Sequence, residues 1–339
     1  MKLSNLIIST DPEIEEPAEN ASDLVESGLE SELRPLTITV AQHGGRLDRA
    51  LVDLVPEFSR SYLQQLIESG AVTMRGSLVT KPSAKVRSGE MGTIELRPTL
   101  QSQAFKPEPM ELDVVFEDDH LRVIYKPAGL VVHPAPGNWS GTLLNGLLAR
   151  DVQAQMLPRA GIVHRLDKDT SGLMVVARTR STMDALVALI AAREVSRQYL
   201  ALAHKPWVGA ANRRVELPIG RDPRNRLRMA VVDLAMHGGK TARTDIALLH
   251  NFDQGCFVRC TLHTGRTHQI RVHMASAGHP LLGDAVYGGA PAVGLVRQAL
   301  HATELSFVHP ITGVALKFHA PLPSDMRSAL AEWGLSYNG

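Results

Sequence analysis

Apolar residues in this chain recur in two rhythms, and the alternation between them sketches the elements. In "RLDRALVDLV" (46 to 55), Leu47, Ala50, Leu51 and Leu54 fall on one helical face. "SRSYLQQLIESG" (59 to 70) opens on serines suited to an N-cap and closes on Gly70, a natural helix stop. "TITV" (37 to 40) reads as a short strand, and "VTMRGSLV" (72 to 79) as a hairpin turning at Arg75-Gly76. Further on, "LDVVFEDDHLRVIYKP" (112 to 127) suggests two strands around Asp118-Asp119. "STMDALVALIAA" (181 to 192) sets Met183, Leu186, Leu189 and Ile190 at helical spacing. "SRQYLALAH" (196 to 204), "TARTDIALLH" (241 to 250) and "CFVRCTLHTG" (256 to 265) return to strand.

Strands and helices mix without a regular βαβ repeat, so the expected class is α+β, with a mixed, largely antiparallel sheet and flanking helices. A Pro-rich stretch, "RPTLQSQAFKPEP" (97 to 109), separates a small module from a larger one. The expected organisation is a leader over 1–35, a small α/β module over 36–97, a linker over 98–110 and a large domain over 111–339.

Charge changes this picture at the N-terminus. Residues 1 to 35 hold nine acids and two bases, which leaves the remainder at +8 within a total of +1. Such an acidic, weakly apolar leader is expected to be disordered. The basic remainder points to a polyanionic partner. In the small module Arg46, Arg49, Arg60, Lys81, Lys85 and Arg87 are concentrated. Any one of them alone is best read as solvated surface, but together they favour phosphate contact. The two cysteines, Cys256 and Cys260, lack a second pair and read as core residues. No secretory leader or membrane span is legible, so a cytoplasmic location is expected.

One stretch resists this bland reading. "AGIVHRLDKDTSGLMVVAR" (160 to 178) sets an Arg, two Asp and a Lys between apolar runs. It is a polar turn or a site. Read from its residues alone, Asp167 or Asp169 could serve as nucleophile or base beside Arg165 or Lys168, and a glycosidase-like carboxylate pair is conceivable. The turn reading is the better one for Asp169, Thr170 and Ser171; for Asp167 both readings stay open. No phosphate loop, dinucleotide fingerprint, H-E-x-x-H helix or G-x-S-x-G elbow occurs. Any chemistry must therefore come from side chains.

Two resemblances carry the reading further. "GGRLDRAL", "SRSYLQQLIESGAV" and "KPSAKVRSGE" resemble the S-four-like RNA-binding domain, which implies RNA contact through shape and phosphate. "VIYKPAGLVVHP", "GIVHRLDKDTSGLMVVAR", "REVSRQYLA", "TGRTHQIRVHMASAGHPLLGD" and "LHATELSFVHPITG" resemble, in order, the motifs of the RluA family of pseudouridine synthases, from about residue 112 to 325. This resemblance implies that the large domain is a pseudouridine synthase catalytic domain. It implies Asp167 as the catalytic residue, with Tyr199 and Arg271 beside it, and Arg165 placed to fill the space a flipped base leaves. The implied reaction isomerises uridine within RNA. It needs no metal and no small-molecule cofactor, and the chain would act as a monomer away from membranes. The implied partner is large-subunit ribosomal RNA or the assembling subunit, with the target in the loop of helix sixty-nine. Alternatives are another ribosomal or transfer RNA site, or a non-catalytic RNA-binding factor in ribosome assembly. RNA contacts are expected at Arg165, Arg46, Arg49, Arg60 and Lys81.

Overall fold

The computed structural model describes residues 32–337, apart from 57, 98–103 and 136. Residues 1–31, most of the expected leader, lie outside the described residues. The chain divides into two compact units, Met1–Pro98 and Thr99–Gly339.

The smaller unit is a four-stranded sheet with two helices. Its strands are β1 (Glu32–Thr37), β2 (Val72–Met74), β3 (Ser77–Leu78) and β4 (Met91–Leu96), ordered β1-β4-β2-β3. The helices are α1 (Leu47–Leu54) and α2 (Arg60–Glu68). The helical rhythm held: Leu47, Leu51, Leu63 and Ile67 are fully buried, and Ser59 caps α2 by accepting from the Tyr62 N–H. Two expectations need correction. Residues 32–35 belong to a strand and not to the leader, because backbone pairing with β4 recruits them although only Leu36 of β1 is buried. "TITV" is not a strand beyond Thr37. Thr39 accepts from the Ala41 N–H and shares a capping box with Gln42, diverting the backbone into a one-turn 3-10 helix, Val40–Gln42.

The larger unit is built on a nine-stranded sheet. Along it run β5 (Asp113–Glu117), β6 (Leu121–Lys126), β7 (Ser171–Ala177), β15 (Leu300–Val308), β8 (Ser196–His204), β14 (Gly255–Leu262), β13 (Thr244–Asn251) and β9 (Asn212–Val215), with β16 (Ala315–His319) paired to β15. Three short strands, β10 (Ile219–Arg221), β11 (Met229–Val231) and β12 (Gly239–Lys240), form a separate small sheet. Helices α3 (Leu143–Arg150), α4 (Arg180–Ala192), α5 (Gln269–Ser276) and α6 (Ser324–Glu332) complete it. Every described pairing in the large sheet is antiparallel except β7 with β15.

Strand β7 explains the apolar run after the polar insert. All seven of its residues are buried. Met174 and Val176 join one core, while Leu173, Val175 and Ala177 join the other, so both faces of the sheet are covered and no polar alternation survives. Cys256 and Cys260 are free and buried on β14, as core residues. Gly172 is required where β7 meets β15: at φ +117, an added Cβ would stand 2.2 Å from the Ala302 carbonyl oxygen.

Candidate active site

The polar insert is a tight loop leading into β7, held by cations from two sides, one buried and one half-buried. Lys126, at the end of β6, is fully buried and donates to the carbonyls of Pro127, Leu130 and Lys168 at 2.7, 2.8 and 2.9 Å. Burial pulls this ammonium down to about 7, opposed by the carboxylates of Asp169 and Asp167. Three acceptors favour the charged form, which alone has three protons to give. On the other side Arg297 donates to the Asp169 carbonyl at 2.9 Å while Asp325 holds it by both carboxylate oxygens. Within the loop the Thr170 N–H donates to the Asp167 carbonyl at 3.1 Å, closing a turn. The turn reading was right for Thr170. Ser171 does something else: it is buried at the start of β7, with its hydroxyl 2.9 Å from His301 Nδ1.

This loop presents the Asp167 carboxylate, 15 % exposed, to a cavity of about 730 Å³. Tyr199 on β8 lines the same cavity, and a smaller adjoining recess is lined by Asp167, Tyr199 and Arg271 together. The three residues expected to act together are thus brought together across more than a hundred positions of sequence. Arg271 Nη1 donates to Asp167 Oδ2 at 3.1 Å. Burial keeps the Tyr199 phenol protonated, pushed up to about 12.

Arg271 has little freedom. It sits on α5, whose first turn is pinned by Gln269: its amide oxygen accepts from Thr264 and the Arg266 N–H, and its amide donates to Arg243 and Thr244. Fully buried Asp284 takes the other edge of the guanidinium, with Nε and Nη2 at 2.7 and 2.8 Å. The Tyr287 ring packs against the guanidinium, 5.0 Å from centroid to Cζ. Asp284 and the Asp167 contact raise the arginine's pKa against the effect of burial. His268 closes the set. Its backbone is left-handed at φ 56, its Nδ1 lies 2.8 Å from Tyr287 Oη, and its Nε2 lies 3.9 Å from Asp167 Oδ1. Burial lowers this imidazole's pKa, so it is neutral near pH 7.

Sequence reasoning gave no role to Lys126, Asp284, Tyr287 or His268. Lys126 and Asp284 left a trace: each is an ionisable residue closing an apolar run, "VIYK" and "PLLGD". Of the expected RNA contacts, Arg165 is exposed and lines the cavity. Arg49 and Lys81 are exposed on the smaller unit. Arg46 and Arg60 are also there, but both are engaged with Asp48, at 2.9 and 2.7 Å.

The nine-stranded mixed sheet thus holds in one cleft the aspartate, tyrosine and arginine that the resemblance to pseudouridine synthases implied. The family model for RNA pseudouridylate synthase matches residues 120–276, and that for the S4 domain matches 45–91. A protein of Neisseria meningitidis serogroup A, "Ribosomal large subunit pseudouridine synthase D", is 48 % identical over 309 residues, 87 % of this chain and 80 % of the relative. Proteins with that same name from Xanthomonas campestris pv. campestris and Yersinia pestis are 45 % and 44 % identical, covering 92 % and 86 % of this chain and 96 % and 91 % of the relatives. The chain belongs to the RNA pseudouridylate synthase family and is an RNA pseudouridine synthase. Among solved structures, Human RNA Pseudouridylate Synthase Domain Containing 4 shares the fold, with a TM-score of 0.52 at 24 % identity over 67 % of this chain and 95 % of that one.

Proposed function

We propose that this enzyme isomerises uridines of large-subunit ribosomal RNA, in the loop of helix sixty-nine, with Asp167 as the catalytic residue, Tyr199 and Arg271 beside it and no cofactor. The observation that carries the chemistry is the Asp167–Arg271–Asp284 array. Asp284 takes the Nε edge of the guanidinium, which turns Nη1 toward Asp167, whose carboxylate lines the cavity. The substrate assignment is supported by the names of the relatives, all large-subunit enzymes.

The reaction breaks the bond between the ribose C1′ and the uracil N1, turns the base and joins C1′ to C5. The proton displaced from C5 is balanced by one gained at N1, so the RNA keeps its composition. The uridine must leave its stack to reach Asp167, at a cost of roughly a few kcal/mol that is smaller in a loop than in a duplex. The buried Tyr199 ring offers a face for stacking on the turned-out base. Arg165 stands at the cavity with a planar group able to fill the vacated stack. Arg49 and Lys81 of the smaller unit would meet RNA phosphates, in the cytoplasm, during subunit assembly.

Mapping pseudouridine chemically in ribosomal RNA from cells with and without the gene tests this. Loss confined to the helix sixty-nine loop is expected. Loss at a different ribosomal or transfer RNA site would move the target and keep the chemistry. An unchanged map with impaired subunit assembly would favour a non-catalytic role.

A further inference from the structure

The cleft holds a second buried cation that the array around Asp167 does not use. Arg197 stands two residues before Tyr199 on β8, so strand alternation puts both side chains on one face, and both line the 730 Å³ cavity. Arg197 is only 6 % exposed, and its Nε is sealed from solvent without a hydrogen-bond partner. The other two buried arginines are paired, Arg122 with Glu117 and Arg271 with Asp284 and Asp167. Among the described residues no carboxylate forms an ion pair with Arg197.

Two side chains that line the cavity with it, His164 and Tyr199, bring no negative charge. The His164 imidazole is held neutral, down at about 3, by burial and by Arg197 itself. The Tyr199 phenol is protonated. The backbone also makes room for the guanidinium, since a Cβ at Gly265 would stand 3.0 Å from Arg197 Nη1. A cation so largely withdrawn from water without a carboxylate partner is costly for a fold to carry. A guanidinium keeps its charge in such a setting and is shaped for two oxygens of one anion.

We propose that Arg197 is a subsite for a backbone phosphate of the bound RNA, next to the uridine presented to Asp167. This rests on the reading of the chain as an RNA uridine isomerase. Two residues of strand span about 6.7 Å, so a group at Arg197 and a base on Tyr199 belong to the same or adjoining nucleotides. A uracil carbonyl would accept a hydrogen bond there but leave the charge uncompensated. A phosphodiester supplies both.

The test uses the full chain and synthetic stem-loop RNAs in which single phosphates near the target become uncharged methylphosphonates. For the wild type, one such linkage is expected to lower kcat/KM at least tenfold. Arg197→Met should lose a similar factor on the all-phosphate RNA and be indifferent to that linkage. Arg197→Lys, charged but without the fork, should keep the sensitivity at a smaller factor. The melting temperature of free Arg197→Met should equal or exceed that of the wild type, because the variant sheds an unpaired charge. Full methylphosphonate sensitivity in Arg197→Met at every linkage overturns the subsite. So does a variant that instead becomes indifferent to 4-thiouracil at the target, which would assign Arg197 to the base. If the wild type forms no pseudouridine in the unmodified RNA, the underlying reading fails first, and the inference with it.

Discussion

Asp48 in the smaller unit and Asp167 in the larger are both aspartates gripped by arginine, and the contrast lies in how completely each is used. Asp48 is fully buried and accepts from Arg46 at 2.9 and 3.1 Å, from Arg60 at 3.2 and 2.7 Å and from Gln64 at 2.7 Å. Those donors converge mainly on Oδ2 and tie α1 to α2. Asp167 accepts one bond at 3.1 Å, and its other oxygen faces only His268 at 3.9 Å among the described residues. Both clusters carry arginines beside a buried carboxylate, so charge alone does not separate them. Spare bonding capacity at a cavity does: a carboxylate that accepts five bonds organises structure, and one held by a single arm can react.

The strongest test of the contrast is to remove each carboxylate's charge at constant size. Asp167→Asn should abolish turnover, read as tritium release from RNA labelled at the uracil C5, while RNA affinity stays largely intact. Near wild-type release would remove Asp167 from the chemistry. Asp284→Asn reaches the same carboxylate through its arginine. By loosening Arg271 it should lower turnover roughly 100-fold with little change in KM, in line with the cost of small misplacements at a reacting centre. An equal loss in KM instead would make Asp284 a substrate-binding group. Asp48→Asn should leave turnover on a short stem-loop unchanged and lower the melting temperature of the smaller unit by roughly 4–8 °C. The Arg46 bond, then those of Arg60 and Gln64, hold Asp48 well below its ordinary value of 3.8 despite burial. Its contribution is therefore present above that value and lost as pH falls beneath it. Asp48→Asn should flatten the acid side of the stability curve, and an unchanged acid limb in calorimetry would show that the cluster is not the sensor.

Strand and helix positions in the larger unit were legible because its apolar periods are strong: β8 occupies residues 196–204 and α4 residues 180–192, as the spacing indicated. The failures lie where side chains overrode the period. Thr39 turned a strand pattern into a capped turn. Residues 32–35 entered a sheet on backbone bonds alone, which leave no apolar signature. At the site, Asp167, Tyr199 and Arg271 came from resemblance, since the bare residues set Asp169 aside as a turn residue but left Asp167 open between turn and site. Asp284 and Lys126 were given no role for a different reason. Their roles come from partners 13 and 42 positions away, at Arg271 and at the Lys168 carbonyl, and no local pattern records such a pairing. The Arg46–Asp48–Arg60 cluster misled in the opposite sense, because basic residues counted toward RNA are partly occupied within the fold.

The grip of Arg297 on the Asp169 carbonyl, itself held by Asp325 on α6, sets a schedule for biosynthesis. The loop bearing Asp167 is translated long before the residues that brace it. At about 5–20 residues per second, the stretch from Asp167 to Asp325 occupies a ribosome for roughly 8–30 s. Until the bracing residues emerge, this loop lacks in turn Arg271, Arg297 and the β15 strand against which Gly172 packs. The loop bearing Asp167 is therefore braced only once α6 has joined the fold.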